Sequence, residues 1–557
     1  MTADSDVSSV FATDRPTTGE IVLDERYQIH PNSPVPELDL LGATAFDATD
    51  LKNPTRQIFA RICEPGVIPR VETMVQFKNM GDVRIMHALE WGPVFWTPEK
   101  RRGFSVFFDR PMGNPLMQSL DERIEPFKLE SIINGVIKSA WDTLGAFARR
   151  NQVHRAIRPD NMYASGVDNS WIQFGDCVTV PPGWGQSPIL ETIEMGMTPM
   201  SGRGPGTIAD DMYALGATTL FLALGYCPVA HLPAQQIVEG KATVGSFAAL
   251  LGDERPPLGL RELLRGLLCD DPFERWTLED LEEFLEGEQR RSVPIARESR
   301  ADRGFEFEGV SIRHNRMLAQ AFGDQPVAAS AAIRSVDFLK WVNRNLVDTD
   351  GDQPMSEVIT ELLENTTDKN DKFLPTRICQ VLDPLGPMRF QGLIMFPDGV
   401  GAMLAEAVRT KNTDGIQRIA ECIDSGVSLD WTQNREDNLL IDQLSAKKNI
   451  KRVQQLLKTS TPGYGIERCL YDLNSFAPCM SPLLDKAYVY SLRDLMPALE
   501  AVVRKTGELP GLIDRHIVAF IAARSKGQLD MKLKPLEEDG GKAIGARIAI
   551  VYLFAFV

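Results

Sequence analysis

The run DDMYALGATTLFLALGYCP, from Asp210 to Pro228, constrains this chain more than any other segment. After its two acids it stays apolar for about five helical turns, and Gly225 and Pro228 end it. A helix that is apolar all round has to be wrapped by other elements. Its polar and charged flanks make it a core helix rather than a membrane span. The chain must therefore build a substantial unit around this segment.

The neighbouring sequence supplies that wrapping. Lys128 to Arg150 places Ile132, Ile133, Val136, Ile137, Ala140, Trp141, Leu144 and Phe147 at helical spacing, which predicts an amphipathic helix. It leads into HRAIRPDN, His154 to Asn161, and then into two short strand signals, NMYAS and SWIQF. A Gly/Pro-rich loop follows, PPGWGQSP to MSGRGPGT. Beyond the core helix, LRELLRGLLCDDPFERWTLEDLEEFLEGE reads as two helices around a Pro-containing corner. Thr277 to Asp280 is T-x-x-D, a looser capping box that would open the second helix. Upstream, residues 21–125 hold short β-type runs such as RQIFARICEP and GFSVFFDRP, with one helix predicted from Val71 to Met80.

The charged run GEQRRSVPIARESRADRG, from Gly287, predicts a linker at 289–304. Residues 305–557 then carry i, i+3, i+4 apolar spacing in one segment after another, which predicts an all-α domain. IQRIAECIDSG from Ile416 and IKRVQQLLKTS from Ile450 share apolar positions 34 residues apart, a period typical of degenerate helical repeats. The first 20 residues are polar and acidic, without an apolar h-region, and read as a disordered tail. The last ten residues, IAIVYLFAFV, are too few to span a bilayer and read as a buried terminal helix or strand.

A net charge of −16 argues against a broad footprint on nucleic acid or an anionic membrane. The eight cysteines are scattered, with no C-x-x-C pair, and fit reduced buried thiols in a cytoplasm. There is no Walker loop, no H-E-x-x-H and no G-x-S-x-G. The histidines outside HRAIRPDN are isolated.

In order and spacing, HRAIRPDN, the DDMYALG helix and DDPFERWTLEDL resemble the eukaryotic-type Ser/Thr protein kinase superfamily over residues 21–288. The resemblance implies an α+β two-lobed fold, with an N-lobe and hinge at 21–125 and a C-lobe at 126–288. Here it would be a divergent, bacterial-like member followed by the α-helical domain. VFFDRPMGNPLMQSL looks like the last N-lobe strand and hinge. His154, Arg155, Arg158, Asp160 and Asn161 would be remnants of the catalytic loop. The resemblance makes Asp211 the buried acid that accepts hydrogen bonds from the loop backbone, and Arg275 the Arg near the end of the domain. Asn161 would hold Mg²⁺ together with a metal-binding Asp. Strand alternation puts Ile172 and Phe174 inward and assigns that Asp to Asp176; the literal Phe174-Gly175 pair would instead place Gln173 there.

Four parts of the phosphoryl-transfer machinery are missing from this pattern. Ala156 stands where the catalytic base belongs. No G-x-G-x-x-G precedes residue 60. Aligning Ala60 in FARIC puts Ile62 at the phosphate-binding Lys, with Arg61 on the opposite face of the strand and Glu72 left as a solvated helix residue. Ala-Pro-Glu is absent, so Arg275 would need another acid or lie exposed. A missing general base alone typically costs ~10²–10⁴-fold. The expectation is a pseudokinase scaffold that binds another protein, with ATP and Mg²⁺ at Asn161 and Asp176 as structural ligands. Two alternatives stand beside it: an atypical ATP-dependent transferase, phosphoryl or adenylyl, and an interaction protein whose function lies in the helical half.

Overall fold

The computed structural model describes residues 20–78, 84–165, 171–287, 300–346, 354–366, 371–433, 443–459, 463–506 and 514–525. The N-terminal tail to residue 19 and the apolar run 548–557 lie outside them. The chain is α+β, with a sheet-rich N-terminal region followed by a mainly helical remainder.

Six strands form the first sheet: β1 (Ile21–Leu23), β2 (Tyr27–Pro34), β3 (Ala43–Asp50), β4 (Gln57–Cys63), β5 (Ala88–Trp96) and β6 (Arg101–Asp109). They pair antiparallel in the order β1-β2-β3-β4-β6-β5. Apolar layers cover both faces. Ile58, Ala60 and Ile62 of β4 join Ile21, Leu23, Tyr27 and Trp96 on one side. Phe59 and Cys63 join Val35, Leu38, Met74 and Phe108 on the other. The helix Val71–Phe77 packs on this second side, and Glu72 is exposed as expected.

The apolar run forms the helix Ile208–Leu224. Thr207 and Asp210 make a reciprocal capping box at its start, and Gly225 closes it at φ 78°, where a Cβ would be strained. The helix is buried along almost its whole length. Around it pack Ile132, Val136, Ala140 and Leu144 from the preceding helix, and Leu263, Leu267, Trp276 and Leu281 from the helices that follow. The Thr277–Asp280 capping box is present as well. Between them a small sheet, β7 (Asn114–Pro115), β8 (Met162–Ser165) and β9 (Trp171–Phe174), carries the segments on either side of Asn161 and Asp176.

The region expected to be all-α also contains two hairpins: β10 (Arg300–Phe307) with β11 (Val310–His314), and β12 (Met388–Phe390) with β13 (Leu393–Met395). The first also takes residues 300–304 out of the predicted linker. Each turns on two left-handed residues, Glu308-Gly309 and Gln391-Gly392. That conformation matches the twist of the flanking strands, but Glu-Gly and Gln-Gly lack the usual Asn-Gly or Asp-Gly signature.

The C-terminal region packs against both earlier parts. Lys486 O accepts from Arg102 N of β6 at 2.8 Å, and Tyr488 and Tyr490 pack on Phe104. Phe396 N donates to Gly202 O at 2.9 Å. At this seam a Cβ on Gly399 would lie 2.2 Å from Gly202 O, so only glycine lets the two backbones meet.

Candidate functional site

Asp211 organises the loop His154–Asn161. Its carboxylate accepts the His154 N–H at 2.8 Å and the Arg155 N–H at 2.6 Å. Those bonds hold Arg155 at φ 59°, a left-handed backbone rarely adopted by a residue with a long side chain. Burial pushes Asp211 up to about 6 even so. His154 is enclosed between Phe147 and Phe174, and its Nδ1 accepts the Ala156 N–H at 3.2 Å. Burial, helped by the nearby Arg70 charge, brings its pKa down to about 3.

Asn161 and Asp176 come together. The Asn161 Nδ2 donates to Ala156 O at 2.9 Å and to Asp176 O at 3.0 Å. Its Oδ1 fills the space a Gly175 side chain would need. Gln173, the rival position, sits apart and accepts from Met112 N at 3.2 Å. Arg158 and Asp160 pair with each other at 3.0 Å on the partly exposed side of the loop.

Arg61 and Ile62 lie on opposite faces of β4 as the sequence predicts, but the expectation that Ile62 takes the side facing the Asp176 loop is wrong: that side belongs to Arg61. Its side chain lies on the same face as Phe59 and Cys63, fully buried, with its guanidinium near the Phe59 and Phe108 rings. Ile62 faces the other way, into the layer under β1. Both faces of β4 are apolar, so period-two reasoning had no polar side to anchor it. Arg61 Nη1 donates to Asp176 Oδ2 at 2.7 Å, and its Nε donates to Leu38 O at 2.8 Å. The remaining lone pairs of Asp176 are also engaged. Oδ1 accepts from Val178 N at 2.7 Å and Thr179 N at 3.1 Å, and Oδ2 takes the Thr179 hydroxyl as well.

Arg61 thus ties the connection between β2 and β3 onto the loop that carries Asp176. Val35 and Leu38 from that connection share one apolar cluster with Ala156, Tyr163 and Cys177. The space between sheet and loop is packed with side chains. Among the described residues no group of three or more His, Cys, Asp or Glu side chains is placed to hold a metal. None of their helices is long and apolar enough to cross a membrane.

Arg275 pairs with no acid among the described residues, and it does not lie exposed. It is buried, donates to Cys269 O at 2.8 Å and Ala209 O at 3.3 Å, and stacks on Tyr213. The acid that sequence reasoning missed is Glu191. Its buried carboxylate takes Arg155 Nη2 at 3.0 Å and Arg203 Nη1 at 3.2 Å. Lys241 is a second omission. Its Nζ donates to the carbonyls of Pro188, Ile189 and Glu191 at 2.7–3.0 Å, although burial lowers its pKa to about 7. A signal for it existed: Ile237 and Lys241 are four apart on one helix, so the Lys lies in the apolar stripe. These contacts pin the Gly/Pro-rich loop 181–207 to the core. No protein-family model and no curated protein matches this chain.

Proposed function

We propose that residues 21–288 form a protein-kinase-like domain that has given up catalysis and serves as a scaffold for another protein. One observation carries this reading: the Asp176 carboxylate, the acid proposed to hold Mg²⁺, is saturated by Arg61, Thr179 and two backbone amides. A metal on nucleotide phosphates would have to displace at least one of these four bonds. Leu38 packs in the same cluster as Ala156, so phosphates would meet side chains, and the base position holds only a methyl group. The closed arrangement favours a scaffold that works without nucleotide over one with ATP as a structural ligand. Phosphoryl transfer needs positioned charge around the phosphates, and here that charge is spent inside the protein.

The transferase reading keeps one support. Arg61 is a cation beside Asp176, and if it swung outward it could meet a phosphate.

A thermal titration of the full chain with ATP and Mg²⁺ tests the proposal. A ligand at a hundred times its Kd stabilises by about 2.7 kcal/mol, which is readily seen as a rise in Tm. No rise at millimolar ATP is expected. A rise that Asp176→Ala abolishes, accompanied by incorporation of label from α- or γ-labelled ATP into protein, would replace the scaffold with the transferase.

A further inference from the structure

A cavity of about 460 Å³ lies where the sheet region, the Gly/Pro-rich loop and the helical region meet. Its walls come from residues 66–70 ahead of the first helix, from Pro181, Pro182 and Trp184, and from the helical region around residues 397–409, 449–453 and 473–474. It is separate from the space between β4 and the Asp176 loop, so nothing below depends on whether nucleotide binds.

The charged side chains on its surface are paired or hydrated. Arg70 gives its guanidinium to the carbonyls of Val153, His154 and Cys177. Arg409 and Glu406 form a two-bond pair, both contacts at 2.7 Å. Asp398, at the rim, is exposed to water. What the cavity leaves unmatched is apolar surface, supplied by Val67, Ile68, Val400, Ala405 and Val453. That surface continues outside. Trp184 and Met200 belong to the wall, Met200 is 37 % exposed, and Leu41, beside Gly185, is 54 % exposed. An open apolar floor with an apolar rim suits a run of several large side chains.

The chain itself supplies such a run and brings it close. The helix Arg515–Arg524 is the last described element. Arg524 donates to the carbonyls of Tyr471, Asn474 and Ala477 at 3.1 Å. Asn474 lines the cavity and donates to the carbonyl of Gly401, another wall residue, at 2.9 Å. The chain therefore leaves the described residues one hydrogen bond from the cavity wall. Residues 526–547 separate that point from the run IAIVYLFAFV, 548–557. A flexible chain of that length has an r.m.s. span of about 25 Å, enough to return to a wall that Arg524 already touches. The ten residues of the run carry no charge, no Gly and no Pro, so leaving them in water is unfavourable.

We propose that residues 548–557 fold back in cis and seat their large side chains in this cavity, as a strap across the junction of sheet region, Gly/Pro-rich loop and helical region. The walls belong to all three, so the seated strap stabilises the seam at Gly202 and Gly399. Its release would open the cavity and its rim together.

Photo-crosslinking in the full chain tests this. With Phe554 replaced by p-benzoylphenylalanine, cross-links should form within one molecule to peptides covering 66–70, 181–184 or 449–453. Ala402→Phe, which narrows the cavity, should remove most of that yield. Deletion of 548–557 gives an independent reading. It should speed hydrogen exchange in residues 66–77 and 397–409 by about tenfold or more, and a synthetic peptide of residues 542–557 added in trans should reverse the change. Exchange that stays within about twofold after the deletion would overturn the proposal. So would cross-links confined to other surfaces, or a cross-link yield unchanged by Ala402→Phe. Mixed cross-links between isotopically light and heavy chains would replace the strap with docking on a second copy. Flotation of the full chain with phosphatidylcholine vesicles, lost on deletion of 548–557, would replace it with a membrane contact.

Discussion

Replacing Arg61 by Met keeps most of the side-chain length and removes the charge. Asp176 would then stay fully buried, keeping its two amides and one hydroxyl but losing its only cation. Removing one partner of a buried ion pair leaves an uncompensated charge and costs roughly 3–5 kcal/mol. Leu38 O would lose its donor too, so the connection between β2 and β3 should loosen together with the Asp176 loop. A chain of this size need not unfold in one step, so a single global midpoint would blur the effect. Hydrogen exchange followed by mass spectrometry reads it locally. Peptides covering residues 34–43 and 171–183 should exchange roughly 10²–10⁴-fold faster in the variant, the equivalent of that energy, while the helix Ile208–Leu224 should change much less. Arg61→Lys should fall between, because an ammonium cannot reproduce the planar fork that reaches Asp176 and Leu38 at once. Adding Asp176→Asn to Arg61→Met should recover part of the protection by removing the orphan charge. If exchange at 171–183 rises less than about tenfold in Arg61→Met, the pair is not what closes this space and the scaffold argument loses its main support.

His154 makes the protein acid-sensitive. Its folded pKa of about 3 lies below the ordinary 6.5, so the unfolded chain binds the extra proton first. Stability is therefore full above pH 6.5 and falls by up to ~1.4 kcal/mol per pH unit as pH drops toward 3. Asp211, raised to about 6, works in the opposite sense between about 4 and 6, so the comparison is the Tm slope of His154→Phe against wild type; equal slopes would refute the assignment. Gly399→Ala would drive a methyl into Gly202 O and should open the seam, seen as faster proteolysis between residues 181 and 207. The control, Gly240→Ala in an open helix position, should be neutral or stabilising. Ala156→Asp should not restore catalysis: it places a carboxylate in the cluster with Val35 and Leu38 and should destabilise by roughly 1–3 kcal/mol or more, without transfer of label from ATP.

The core helix was legible because an unbroken apolar run leaves one way to satisfy it, and the acids at its start had to serve either its capping or a neighbour. Both happen: Asp210 caps the helix and Asp211 holds the His154 loop. Ile172 and Phe174 both lie in the core, and their inward placement was legible from the apolar spacing of β9. Arg61 was not, because β4 is buried on both faces and the register, not the pattern, decides which side an Arg takes. Strand β1 contributes Ile21 and Leu23 to the apolar layer that takes up Ile62. The shape of the Gly/Pro-rich loop was harder to read: it depends on Glu191 within the loop, which no motif marks, and on Lys241, which reaches it from the helix Ala234–Val244.

A catalytic arrangement keeps charges unpaired until substrate arrives, at a cost in stability. Here the charges around the loop are paired in the folded chain: Arg61 with Asp176, Arg155 and Arg203 with Glu191, Arg158 with Asp160. Each pair fastens a loop. The three loops fastened in this way are the β2–β3 connection, the His154 loop and the Gly/Pro-rich segment, and the last of these carries the helical region through Gly202. What these pairings secure is therefore the surface on which the two regions meet, where Phe396 N donates to Gly202 O.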